Sequence, residues 1–386
     1  MKYAHEFRDP DLARGVLARL RQLCAETCAT KDKPLHIMEI CGGHTHSIYR
    51  YGLQDMVPKE IEFIHGPGCP VCVLPMGRVD DCIDIAERPG LILTTFGDAM
   101  RVPGTKKSLL QAKADGADIR LVYSPLDALM LARKNPGREV VFFGLGFETT
   151  MPSTALTVLQ AAKDGVKNFS LFCNHITVPA PVKALLDDPE LHLDGFVGPG
   201  HVSMVIGTKP YEFIARDYHK PIVVSGFEPL DILQSVVMVV AQIVEGRAEV
   251  ENQYGRVAPL DGNPAALAAI NAVFEPRERF EWRGLGEIDF SGVKIRPAFS
   301  AFDAEVKFDV GYGKGRETAD PLDCRCGDVL KGLIKPHQCG LFDQICNPET
   351  PMGALMVSSE GACAAYHQYA GARPRAPRMV AAQRFS

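Results

Sequence analysis

The chain has 386 residues, 46% hydrophobic and 23% charged, with a formal net charge of −5. This composition fits an ordinary soluble protein, long enough for two or three domains with large cores. A net negative chain has no global pull toward nucleic acid or an anionic membrane, and local basic groups such as Lys106-Lys107 are too small to create one.

Residues 1–9 lack the apolar core of a signal peptide. The longest apolar run, Val236–Val240 with Ala241, is far short of a membrane span. A cytoplasmic location is expected. Thiols stay reduced there, so twelve cysteines point to metal binding or redox work rather than to a disulfide scaffold. Cys24, Cys28 and Cys82, in apolar or helical contexts, read as buried small hydrophobes.

Asp9-Pro10 predicts a helix start, with an acidic N-cap and proline at the first helical position; Leu12, Val16, Leu17, Leu20 and Leu23 follow at helical spacing. From Leu35 the pattern becomes strand, loop, helix, repeated. Strands are predicted at 35–40, 61–64, 91–96, 119–123, 140–144, 169–172, 195–197 and 222–224. Helices are predicted at 125–134, 152–163 and 179–186. Continuous apolar strands alternating with helices imply parallel sheets covered on both faces. The Asn135-Pro136-Gly137 break divides the eight strands four and four.

The expected fold is therefore α/β: two parallel-sheet Rossmann-like lobes facing a cleft, plus a cysteine-rich α+β iron–sulfur domain. Lobe one is assigned to 30–136 and lobe two to 137–230. The third domain is assigned to 1–29 with 231–386, the leading helix docking on it. A long helix after Pro229, an alanine-rich helix at 263–273 and a short antiparallel excursion at 280–282 and 293–295 precede the cysteine-rich stretch from Asp320. The tail, 371–386, is expected to be poorly ordered.

Glycine-rich or polar groups follow nearly every strand, where open α/β sheets bind ligands. Cys41-Gly42-Gly43-His44-Thr45-His46 follows the first strand, and Gly66-Pro67-Gly68-Cys69-Pro70-Val71-Cys72 the second. These place Cys41, Cys69 and Cys72 at one sheet edge. The C-x2-C suits a redox dithiol, half a zinc site or an open thiolate seat for a soft metal. His44 and His46 would share a face of an extended segment, either orienting a ligand or sitting satisfied near a helix cap. Glu148, at a strand-to-helix turn, reads as a dipole-compensating residue or as a proton-transfer or ligand-positioning group. Gly144-Leu145-Gly146 lacks a dinucleotide fingerprint.

Cys324, Cys339, Cys346 and Cys363 are spaced C-x14-C-x6-C-x16-C. Long loops between four cysteines suit a [4Fe–4S] cluster, which takes one thiolate per iron, better than zinc, whose ribbons use paired C-x2-C knuckles. Cys324 and Cys326 compete for one ligand position, leaving Cys326 as a spare thiol.

Taken together, Cys41–His46, Gly66–Cys72, Gly146-Phe147-Glu148-Thr149-Thr150, Gly198-Pro199-Gly200-His201-Val202 and Met356-Val357-Ser358-Ser359-Glu360-Gly361 resemble the HypD family of hydrogenase maturation factors, over residues 5–370. The resemblance implies a scaffold on which the Fe(CN)2CO moiety of [NiFe]-hydrogenases is assembled with the small chaperone HypC. The resemblance also implies that cyanide comes from HypE and that the hydrogenase large-subunit precursor is reached through HypC. It further implies that Cys41, Cys69 and Cys72 are the iron or redox cysteines and that Cys324, Cys339, Cys346 and Cys363 bind the cluster. His44, Glu148 and Glu360 match further motif positions. Leu355 stands where the family leads one to expect a cysteine, and Cys326 is the thiol left to stand in. The same residues would also serve an iron–sulfur-dependent disulfide reductase.

Overall fold

The computed structural model describes residues 6–311 and 323–370. The expectation for the tail at 371–386 lies outside the described residues, as do 1–5 and 312–322. Thirteen strands are described. β1 (Leu35–Glu39), β2 (Ile61–His65), β3 (Leu91–Thr95), β4 (Ile119–Leu121), β5 (Glu139–Gly146), β6 (Phe169–His175), β7 (Gly195–Pro199), β8 (Ile222–Ser225) and β9 (Val250–Asn252) are parallel. β10 (Phe274–Pro276) pairs antiparallel with β13 (Val293–Ile295), and β11 (Arg279–Trp282) with β12 (Gly286–Asp289). The predicted antiparallel excursion is thus a nested pair of ribbons.

The α/β reading with two parallel sheets holds. Every residue of β3, β6, β7 and β8 is buried, as expected for strands covered on both faces. The division of strands differs from the expectation. One sheet has the order β2-β1-β7-β8-β9, the other β4-β3-β5-β6. Asn135-Pro136-Gly137 is only a turn, closed by Arg138 N–H donating to the Asn135 carbonyl, within the second sheet. The chain leaves the first sheet after β2, builds the whole second sheet, and returns to lay β7 against β1, Met38 opposite Phe196. Parallel pairing needs a long crossover and does not require the paired strands to be contiguous in the chain. The break in composition at 135–137 therefore marks no boundary between lobes.

Helix α1 (Pro10–Ala25) starts as predicted, the Asp9 carboxylate accepting from the amides of Asp11 and Leu12. It does not join the cysteine-rich region. Leu17, Leu20 and Leu23 bury against Val236 and Val240 of the Pro229–Val244 helix and, through them, Ile37, Phe63 and Val223 of the first sheet. Both helices belong to that sheet's outer layer. The Pro264–Val273 helix packs on the Met151–Lys163 helix of the second sheet. Residues 231–311 thus distribute over both lobes, and the cysteine-rich unit shrinks to 323–370. Its regular structure, among the described residues, is the helices Cys326–Leu330 and Ala362–Tyr369 with short turns. Cys24 and Cys82 are buried, but Cys28 is exposed in the bend after α1.

One buried ionic cluster ties these pieces together. Arg78, in the Met76–Ala86 helix, donates to Asn174 Oδ1 (2.6 Å), to the Cys173 carbonyl (2.9 Å) and to Glu305. Arg277, beside β10, donates twice to the same Glu305.

Candidate functional site

Cys41 lies two residues beyond the end of β1 and caps helix α2 (Gly42–Arg50) in an extended conformation. The Gly66–Cys72 loop, after β2, packs directly onto it. Gly42 N–H donates to the Gly68 carbonyl at 2.8 Å. A Cβ on Gly68 would stand 2.4 Å from the Cys41 Cα, so only glycine allows this approach. The sequence brings Cys41, Cys69 and Cys72 together as expected, but not as three free thiols. Cys69 and Cys72 form a disulfide across a Cα separation of 5.3 Å, and Cys41 alone remains a thiol. Two cysteines at this spacing in a tight turn meet each other before either reaches Cys41. The bridge packs against the start of the last helix: a Cβ at Gly361 would lie 3.0 Å from the Cys72 sulfur.

The cleft is a cavity of about 440 Å³ at the carboxyl ends of strands from both sheets. Gly68, Pro70 and Val71 after β2, Asp98 after β3, Thr149 and Thr150 after β5, His201 after β7 and Glu360 form its wall. His201 Nδ1 is 3.3 Å from the Cys41 sulfur. Burial, then the neighbouring His44, pulls the His201 imidazole down to about 4, so it is neutral at pH 7. Burial, reinforced by Glu360 and Glu39, pushes the Cys41 thiol well above its usual range. The resting pair is a protonated thiol against a neutral imidazole.

Beneath Cys41 lies a residue the sequence reading passed over. Glu39 is buried and accepts the Cys41 amide (2.9 Å), the Thr45 hydroxyl and His65 (Nδ1 to Oε1, 2.8 Å). An acid closing an apolar strand two residues before a cysteine-glycine turn was the available signal. Glu360 lies against Gly42, and burial together with Asp98 and Glu39 raises its carboxyl.

His44 and His46 do not share a face, because the segment is helical rather than extended. Residues two apart on a helix point in nearly opposite directions. His44 Nε2 pairs with the Gly226 carbonyl at 2.9 Å, and its ring stacks on Phe227. His46 instead meets the Ser359 carbonyl and the Tyr369 hydroxyl. Burial lowers the His44 pKa and keeps it neutral.

Glu148 sits behind the cleft wall. Its Oε1 accepts the Val178 amide at 3.1 Å, while its buried Oε2 has no partner. Burial raises its carboxyl to about 7. Below the unfolded value of 4.5 both states are protonated; above it the unfolded chain ionises first, so the penalty grows from there to about pH 7. Wild type is therefore expected to lose about 3 kcal/mol relative to Glu148→Gln between pH 4 and pH 8 in urea titrations. Equal slopes for the two proteins would refute this.

The cysteine-rich unit encloses a second, smaller cavity. Cys324, Cys326, Cys339, Cys346 and Cys363 all line it, together with apolar side chains such as Leu341, Phe342 and Met356. Among the described residues, no carboxylate or imidazole lines it. Among the described residues, no three His, Cys, Asp or Glu side chains converge as for a single metal ion. Sulfurs spread around an apolar space fit a cluster, which takes one thiolate at each iron. Cys326 lies 3.3 Å from Cys324, sulfur to sulfur. Leu355 is buried beside it in the same packed core as Cys72.

Comparison with known proteins adds a family. The model of the HypD family, described as hydrogenase formation hypA family, matches residues 12–370. The chain is 67% identical to the hydrogenase maturation factor HypD of Rhodobacter capsulatus, over 97% of this chain and 99% of that protein. It is 56% identical to HypD of Escherichia coli K12, over 96% and 98%. It is also 50% identical to the hydrogenase expression/formation protein HupD of Azotobacter chroococcum, over 97% and 99%. A full-length family match, joined to identities at this level, means that the chain belongs to the HypD family of hydrogenase maturation factors.

Proposed function

We propose that this maturation factor is the scaffold on which the hydrogenase Fe(CN)2CO moiety is assembled, with Cys41 as the residue that takes the iron. The observation that supports this most is the Cys41–His201 pair, whose imidazole lines a cleft open between two sheets while the thiol lies directly behind it. A buried thiol keeps its proton, but a soft cation replaces that proton and binds the thiolate. His201 and Glu360 flank the position such a cargo would occupy. Glu148, with a buried carboxyl near neutrality, holds a proton behind the same wall. In this reading a HypC-type chaperone, which passes the product to the large-subunit precursor, and a HypE-type cyanide donor act at this cleft.

Cys69 and Cys72 are the redox pair in this reading. Opening their disulfide takes two electrons and two protons and gives two thiols beside Cys41. Cys324, Cys339, Cys346 and Cys363 would hold a [4Fe–4S] cluster, whose chemistry is single-electron transfer. Cys326, between that cavity and Leu355, is the thiol placed to take part in the exchange. The disulfide also supports a second reading, a cluster-dependent disulfide reductase.

Infrared spectroscopy on the protein purified anaerobically with its HypC-type partner separates the two. Cyanide and carbon monoxide bands that vanish in Cys41→Ala are the expected result. Their absence, together with steady turnover of an added disulfide, would establish the reductase. A brown protein absorbing in the visible blue is expected, and a colourless protein with stoichiometric zinc would refute the cluster.

A further inference from the structure

The two cysteine sites are joined by a feature that neither thiol chemistry nor the cleft explains. Helix α2 begins at Cys41 and carries Tyr49; the Ala362–Tyr369 helix has Cys363 in its first turn and carries Tyr366. The two helices pack side by side. A row of rings runs between them. Phe342, on the wall of the five-cysteine cavity, meets Tyr366 edge to face at 5.7 Å between centroids. Tyr366 meets Tyr49 edge to face at 5.6 Å, and Tyr49 lies 4.7 Å from the His65 ring. His65 holds Glu39 at 2.8 Å, and Glu39 holds the Cys41 amide at 2.9 Å.

Edge-to-face ring pairs have a preferred geometry, and a close-packed interior shifts between discrete arrangements instead of deforming smoothly. A displacement at one end of such a row is carried to the other. We propose that Tyr49 and Tyr366 are positioning residues for Cys41, the ring row linking the order of the five-cysteine cavity to Glu39 and so to the Cys41 backbone. The dependence on cavity occupancy rests on the cluster reading above. With the cavity filled, Cys363 fixes the start of its helix, the rings lock, and Cys41 stays buried beside His201. With it empty, that helix loosens and Cys41 opens to solvent. The scaffold thereby presents an ordered cargo thiol only when its cluster is in place.

The test is the rate at which iodoacetamide alkylates Cys41 in the full-length protein, read by peptide mass spectrometry. Cys82, fully buried in the core beside the second sheet, is the internal reference. Tyr366→Leu is expected to speed Cys41 alkylation about tenfold over the Cys82 reference, and Tyr366→Phe to stay within about twofold of wild type. Reconstitution with iron and sulfide, followed by visible absorbance, is expected to slow Cys41 alkylation about tenfold in wild type but not in Tyr366→Leu.

A Cys41 rate unmoved by Tyr366→Leu, or one that rises in step with Cys82, overturns the positioning role. Colour without a change in the wild-type Cys41 rate overturns the coupling while leaving the cluster reading intact. Absence of colour overturns the cluster reading and the occupancy dependence, and the ring row is then judged on the leucine and phenylalanine variants alone. If Tyr366→Leu does not accumulate, the loaded and unloaded wild-type proteins decide.

Discussion

Cys41→Ala is expected to abolish hydrogenase maturation while leaving a folded, soluble protein. Removing one buried sulfur costs about 1 kcal/mol, which in a chain of this size moves the thermal midpoint by about 2–4 °C. Apart from the contact with His201 Nδ1, the local structure does not depend on the sulfur. The Cys41 amide keeps its Glu39 partner, and α2 keeps its start, because both contacts use the backbone. Cys82→Ala is the matched control: it is equally buried, in the Met76–Ala86 helix, and is not part of the cleft wall. Maturation measured as hydrogenase activity in cells carrying each variant should be lost in the first and retained in the second. A Cys41→Ala protein that unfolds, or that still matures hydrogenase, would sink the assignment of Cys41 to the cargo.

The largest stability loss is expected at Glu305→Ala. Burial alone would raise this carboxyl, but Arg78 and Arg277 outweigh it and hold it below its ordinary range. Removing it strands two buried guanidiniums, at a cost of about 3–5 kcal/mol. Both arginines have side chains less than one-tenth exposed, so water offers little relief. The pH dependence has a definite sign. A depressed folded pKa contributes stability present above the unfolded value of 4.5, and that stability fades as pH falls through the folded value. The gap between wild type and Glu305→Gln in chemical denaturation should be flat above about pH 5.5 and narrow below it. A gap independent of pH down to acid unfolding would show that the arginines are not the cause.

Local patterns read well from the sequence. β1 to β8 fall where apolar runs place them, because a buried parallel strand must be apolar along its length. The helices Pro125–Lys134 and Pro179–Leu186 match their predicted bounds, each opened by a proline suited to the first turn. Pairing between distant strands did not read through. Nothing in the composition of β7 says that it lies beside β1 rather than β6, since every buried strand offers the same apolar surface. α1 shows the same limit: its leucines announce a buried face, not which partner covers it.

The site divides in the same way. Cys41 and the Gly66–Cys72 loop were legible because glycine beside cysteine at a strand end has few other uses. Glu39 and His65 were not, because a buried acid becomes informative only once the three donors around it are known. His44 was seen, but its face was misjudged, since the turn from strand to helix at Cys41 rotates it toward Gly226.

The interleaved topology also fixes the order in which this molecule can be completed during synthesis. β1 and β2 emerge early, yet the neighbour that covers β1, β7, begins only at Gly195. His201, the partner of the Cys41 sulfur, follows it, and Tyr366 comes near the end. Until residues 66–194 have been made, the first two strands have no third to pair with, while the second sheet, contiguous from 91 to 175, can close on its own. Cys41 is therefore one of the first reactive groups to leave the ribosome and one of the last to be enclosed. The neighbouring cleft comes into being only when nearly the whole chain is present, so a truncated product carries no finished site.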